Sequence, residues 1–226
     1  MPTGCSCRER TRVCCRFNRA VAGSLEILMS AIFETTGPPV TEERRVLVEA
    51  VPWERYERLA ACFGDTRTVR LTYIDGSLEI MSPIGAEHER IKSNLGVLLE
   101  TYLDVAGIRW YRRGGFTLTQ PGRAAGEPDE SYCIGADKTV PDLVIEVVVS
   151  SDALSKLPLY RDKGVAEVWI WEQDRLVIHC LAGGAYSVSP RSKLLPGLDV
   201  VHLVRLVGMR DQYDAVRAFR EALRAG

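Results

Sequence analysis

Glu146 is an acid set in apolar surroundings. It interrupts Asp142-Leu143-Val144-Ile145-Glu146-Val147-Val148-Val149, a short run that is otherwise apolar after its first residue. Such a run reads as a central strand buried on both faces. A carboxylate buried there alone costs several kcal/mol, or takes up a proton. A metal ion, a lysine or an arginine relieves that cost, and a plain salt bridge at the strand's end would do so without any chemistry. Alternation puts Asp142, Val144, Glu146 and Val148 on one face. Asp129, in Glu127-Pro128-Asp129, opens the preceding extended stretch, where Pro-Asp is also a common turn. If the two strands are neighbours, the carboxylates converge, and close carboxylates are stable mainly around a hard divalent cation. Lys156 and Tyr160 stand four apart, on one helix face. A lysine beside such a pair can orient an attacking water and steady charge on a phosphoryl oxygen; by itself it reads equally as part of a solvated helix face.

The elements that must hold these residues are legible from periodicity. Arg45–Ala50 suits a short strand, and Pro52 the first turn of a helix to about Cys62, with Trp53, Tyr56 and Leu59 on one face. Val69, Leu71 and Tyr73, then Leu78 and Ile80, alternate about Asp75-Gly76, a hairpin signature. Ile91, Leu95, Leu98, Leu99 and Tyr102 give a helix over 87–102. Two short extended pieces, 108–111 and 116–119, are broken by Gly114-Gly115, and a Gly/Pro-rich loop over 120–127 leads to a strand at 129–134. After the Glu146 strand come a helix ending at Lys163-Gly164 and a strand at 167–171. A hairpin across Gly183-Gly184 follows, and Tyr213, Val216, Phe219 and Leu223 mark a last amphipathic helix. The fold class is therefore α/β (α+β), with a mixed sheet flanked by helices.

With 226 residues, 46% hydrophobic and 26% charged, the chain has the composition of a globular protein with one well-buried core. No apolar run is long enough to span a bilayer, so no membrane partner is expected. The net charge of −1 lacks the basic excess of a constitutive nucleic-acid binder, so any attraction for phosphate must be local. Arg109-Trp110-Tyr111-Arg112-Arg113 is the basic-aromatic cluster of the core. It reads as a contact for a phosphate backbone, with Gly114-Gly115 permitting close approach, or as an ordinary exposed strand with charged edges. Cys62, Cys133 and Cys180 read as small buried hydrophobes of a reduced, cytoplasmic protein. Cys5, Cys7, Cys14 and Cys15 crowd a leader whose spacing is not a standard zinc arrangement. Met29 is the expected natural start, with residues 1–28 an extension.

Together, these pieces form a series. Met81-Ser82-Pro83 is followed by His88, by Glu127-Pro128-Asp129-Glu130-Ser131-Tyr132 and by Pro141-Asp142-Leu143-Val144-Ile145-Glu146-Val147. Next stand Asp152, Lys156 and Tyr160 at four-residue steps, then Gly164-Val165, Glu167-Val168-Trp169 and Leu195-Pro196-Gly197-Leu198. Over residues 45–207 this resembles the Uma2 family of restriction-endonuclease-like proteins, a branch of the PD-(D/E)XK nuclease superfamily. The resemblance implies an αβββαβ core and hydrolysis of a phosphodiester by a metal-activated water. Asp129 and Glu146 would hold Mg²⁺ or Mn²⁺ and Lys156, displaced from the strand to the next helix, would stabilise or position. Tyr160 would match the family's helix tyrosine, and His88 with Glu87 would line the site. Pro158 departs from the pattern: it would break a helix begun at Asp152, whereas capping by Ser155 places it in the first turn.

The expected domains are a disordered leader over 1–43, a restriction-endonuclease-like domain over 44–207 and a C-terminal amphipathic helix over 208–226. The expected partner is nucleic acid, DNA first, handled by a homodimer. A non-catalytic binding or assembly module on the same fold, and a nuclease acting on RNA, are the alternatives.

Overall fold

Asp75 and Gly76 both take positive φ, 46° and 94°, the backbone that a two-residue hairpin turn needs for its strands to twist together. They join β2 (Arg70–Ile74) to β3 (Ser77–Ser82), and β1 (Arg44–Val48) adds on β3's far side. The computed structural model describes residues 44–64, 69–82, 85–148 and 153–225; the cysteine-bearing leader, Met29, Pro83 and Asp152 lie outside them. Between β1 and β2, α1 (Trp53–Phe63) lays Tyr56 into a small core with Val51, Tyr73, Leu78 and Ala125.

This hairpin belongs to a sheet of its own. β5 (Leu118–Gln120) and β6 (Ala124–Gly126) extend it to the order β1-β3-β2-β6-β5, antiparallel throughout. The expected loop over 120–127 therefore contains a strand. Ala124-Ala125-Gly126 is too short and too small-sided to alternate visibly. A Cβ on Gly126 would stand in ordinary contact, 3.5 Å, with Leu159 and Thr72.

The second sheet carries the core of the series implied by the resemblance. β4 (Trp110–Arg112), β7 (Glu130–Ile134), β8 (Leu143–Val148), β9 (Glu167–Glu172), β10 (Arg175–Ala182) and β11 (Ala185–Ser189) lie in the order β11-β10-β9-β8-β7-β4. β8 and β9 are parallel and the remaining pairs antiparallel. A parallel pair requires a crossover, which runs through a 3₁₀ turn at Ala153–Lys156 and α3 (Leu157–Lys163). Leu143, Ile145, Val147, Trp169 and Trp171 face α2 (Ala86–Val105), α4 (Val200–Val207) and α5 (Gln212–Ala225), against Leu98, Leu99, Leu203 and Phe219. Val144, Val168 and Ile170 point the other way, onto Leu159 and Tyr160 of α3 and onto Leu118 and Ala124 of the first sheet. β8 is thus buried on both faces, as its composition demands.

Three expectations need correction. Helix α4 was not foreseen, because Val200-Val201-His202-Leu203-Val204 is rich in β-branched residues; Asp199 starts it by accepting from the His202 N–H at 2.9 Å. Tyr213 stands 74% exposed, whereas Phe219, Val216 and Leu223 pack on the core as expected and Ala215 joins them. Cys62 is exposed on the outer side of α1, and only Cys133 and Cys180 are buried among the described cysteines. Glu167, at the start of β9, accepts from Trp169 Nε1, Ser192 Oγ and the Lys193 and Leu194 amides, and so pins the turn before Leu195-Pro196-Gly197-Leu198. No described helix is long and apolar enough to cross a membrane.

Candidate functional site

The β7–β8 register pairs Glu130 with Ile145 and Ser131 with Val144. Extended by one residue, it sets Asp129 opposite Glu146 at the end where β7 begins. Asp129 and Glu146 are 4% and 3% exposed. The chain arrives at Asp129 directly from β6, so the residue marks the passage from the first sheet to the second. Gly115 makes that passage possible. A Cβ there would lie 2.7 Å from the Pro128 carbonyl oxygen, so the close approach expected for Gly114-Gly115 is made to the chain's own backbone. Gly114 takes φ +64°, which glycine adopts freely.

Each carboxylate oxygen has a partner. The Val147 N–H donates to Asp129 Oδ2 at 2.6 Å, and His88 Nε2, from the first turn of α2, lies 3.2 Å from the same oxygen. Arg70, the first residue of β2, pairs with Asp129 Oδ1. Lys156 Nζ donates to Glu146 Oε2 at 3.0 Å and reaches the Glu127 carbonyl at 3.4 Å, while the Tyr160 hydroxyl donates to Glu146 Oε1. Lys156 occupies the N-cap of α3 and Pro158 its first turn. The helix therefore begins late enough to tolerate the proline, and Lys156 and Tyr160 share the face turned to Glu146.

Charge follows this geometry. Burial alone would raise the Asp129 carboxyl, but the His88 hydrogen bond and the charges of Arg70 and Lys156 overcome it and hold the group well below the usual carboxylate range. Glu146 goes the other way: burial raises it, and Asp129's charge outweighs part of the relief from Lys156. Burial would lower Lys156, but Glu146 and Asp129 keep the ammonium above its ordinary value. Burial, then Glu146's charge, pushes the Tyr160 phenol far up. His88 Nδ1 is buried with no hydrogen-bond partner.

Among the described residues no three His, Cys, Asp or Glu side chains gather as a metal-binding group. The donor set is two carboxylates on hydrogen-bonded strands. That fits a hard cation which keeps its waters and borrows substrate oxygens, such as Mg²⁺ or Mn²⁺, and does not fit a closed site of the zinc type. Arg70 and Lys156 neutralise the pair as it stands.

A family model described as "Putative restriction endonuclease" matches residues 53–210. The chain belongs to the Uma2 family. No curated protein matches the chain. The Uma2 match spans the second sheet, the first sheet apart from β1, and every residue of the carboxylate cluster.

Of the residues singled out from the sequence of this Uma2 protein, Asp129, Glu146, Lys156, Tyr160 and His88 come together. Glu87 does not: it is exposed on α2 and pairs with Arg90 at 2.6 Å. The arginines of β4 are dispersed. Arg112 pairs with Glu130, and with Glu100 at 3.6 Å, on the α2 side of the sheet. Arg113 pairs with Asp137 at 3.0 Å and covers the Phe116 ring, and Arg109 is exposed. Asp142, expected on Glu146's face, is held by Lys138 and the Ile134 amide. The residue that sequence reasoning missed is Arg70. It alternates away from Val69, Leu71 and Tyr73 in the hairpin, and only the β2–β6 pairing through Ala124 and Ala125 carries it to Asp129.

Proposed function

We propose that this Uma2 protein is a divalent-metal-dependent endonuclease that hydrolyses phosphodiester bonds of DNA. The observation that carries the reading is the convergence of Asp129, Glu146 and Lys156 from a strand junction, a buried strand and a helix start onto one buried point. Asp129 and Glu146 would hold Mg²⁺ or Mn²⁺, which when bound lowers the pKa of coordinated water and offsets charge on the scissile phosphate. Lys156 stays protonated there, so it acts as a donor to a phosphoryl oxygen and not as a base. Tyr160, its phenol held protonated, orients Glu146. His88 positions Asp129 through Nε2. Closely spaced carboxylates of opposed pKa, buried with a lysine, are an arrangement typical of active sites.

The test is cleavage of supercoiled plasmid with Mg²⁺ or Mn²⁺, beside calorimetric titration of each ion into the wild type, Asp129→Asn and Glu146→Gln. Metal-dependent nicking and ion binding, both lost in the two variants, are expected. Cleavage that survives in the variants would overturn the assignment, and cleavage of RNA alone would change the substrate.

A second reading, a non-catalytic assembly module acting as a homodimer, draws on a specific observation: the chain's own cations already neutralise both carboxylates. A folded protein that sediments as a dimer, binds DNA and leaves every nucleic acid intact would favour it.

A further inference from the structure

We infer that Arg70 is a resident counter-cation of Asp129, which a divalent ion displaces and which then takes a phosphodiester oxygen of the substrate. The inference rests on the metal-centre reading above and adds a regulation to it.

Asp129 Oδ2 is occupied by the Val147 amide and by His88. Both Glu146 oxygens are occupied by Lys156 and Tyr160. Oδ1 is held by Arg70. Each oxygen with a single donor keeps a lone pair for a hard cation, but a divalent ion seated there is repelled by the resident positive charges, and the partners differ in how easily they can withdraw. The Val147 amide is fixed in β8, the Lys156 side chain is 7% exposed, and Tyr160 is fully buried. The Arg70 side chain is 14% exposed and stands at the first residue of its strand, so it is the partner with somewhere to go. It also belongs to the other sheet, so withdrawing it disturbs no hydrogen bond of β7 or β8.

Arginine leaves as a cation, because its guanidinium does not lose its proton in proteins. With Asp129 and Glu146 charged, Arg70 and Lys156 bring the cluster to neutrality, and a divalent ion added to it leaves an excess of two positive charges. A phosphodiester supplies one of the two missing negative charges, and a guanidinium fork matches two phosphate oxygens in a way an ammonium cannot. The ion and the anionic substrate are thus expected to bind cooperatively, with the empty protein holding its carboxylates satisfied by Arg70.

The experiment uses Arg70→Met, which keeps an unbranched apolar stem and removes the guanidinium and its charge. Mn²⁺ is titrated calorimetrically without nucleic acid, and a labelled DNA duplex is titrated by anisotropy in Ca²⁺. Loss of a charge-assisted competitor predicts Mn²⁺ binding about 10- to 100-fold tighter than wild type, while duplex binding weakens by at least about tenfold. Opposite signs in one variant are the signature, since a merely structural arginine would weaken both. Mn²⁺ affinity unchanged or reduced in a folded variant overturns the inference. Should Arg70→Met not fold, Arg70→Lys decides: it keeps a point charge on Asp129 and loses the fork, so duplex binding must still fall, and unchanged duplex binding overturns the inference. If neither wild type nor variant binds Mn²⁺ with or without DNA, the metal-centre reading itself fails; if both bind it equally and both cut, Arg70 alone was misassigned.

Discussion

Replacing Lys156 by methionine, a side chain of similar reach without the charge, should make the protein's stability depend steeply on pH. Lys156 Nζ lies 3.0 Å from Glu146 Oε2, and the two residues are 5% and 3% exposed. Removing one partner of such a pair typically costs about 3–5 kcal/mol, because the other charge is left buried. Glu146 has one escape, to take up a proton. Its folded pKa, already raised by burial, rises further in the variant. A raised carboxyl contributes stability that is fully present below its unfolded pKa and is lost as pH rises through the folded value. The loss is bounded by about 1.4 kcal/mol per pH unit above an unfolded pKa of about 4.3. The ceiling is then about 5 kcal/mol at pH 8 and about 1 kcal/mol at pH 5. Urea unfolding of wild type and variant at both pH values gives the difference directly, and Glu146→Gln/Lys156→Met should recover most of the pH 8 deficit. A deficit of equal size at both pH values, or no recovery in the double variant, would refute the reasoning.

Other perturbations follow from the same geometry. Gly115→Ala puts a Cβ 2.7 Å from the Pro128 carbonyl, so urea unfolding should show a loss of about 1–3 kcal/mol and, on the proposed function, calorimetry should show weaker Mn²⁺ binding, since Asp129 must shift with its neighbour. Asp129's depressed pKa supplies stability that is present above its unfolded value of about 3.9 and fades as pH falls. Acid unfolding followed by circular dichroism should accordingly be steeper below about pH 4 in wild type than in Asp129→Asn. Glu167→Ala strands Trp169 Nε1, Ser192 Oγ and the Lys193 and Leu194 amides. It should cost more than about 3 kcal/mol, and hydrogen exchange at those two amides should accelerate.

The acidic pair was legible because each residue violates its surroundings: Glu146 sits in an apolar strand, and Asp129 opens the strand beside it. Lys156 and Tyr160 were legible through helical spacing, and Pro158 correctly pointed to a helix that starts late. Pairing across sheets was not legible. Arg70 and Asp129 meet because Ala124 and Ala125 form a strand against Ile74 and Tyr73, and three small residues carry too little side-chain pattern to announce a strand. The same blindness made Arg112 and Arg113 look free for a substrate, since their partners Glu130 and Asp137 are close only once β4 lies on β7. Helix α4 escaped because tertiary burial of Leu203 and Leu206 outweighs the weak helix propensity of its valines.

Asp129 stands where the chain leaves one sheet and joins the other, and this has a consequence for how the protein matures. Its partners come from β2 on one side, from β8 on the other and from the start of α2, so no segment folded alone contains the cluster. Arg70 and Asp129 are 59 residues apart in sequence, and closing such a loop is rewarded only after both sheets have formed and docked. A nascent or partly unfolded chain therefore carries the acidic residues without their arrangement. Whatever chemistry the cluster performs is withheld until folding is complete.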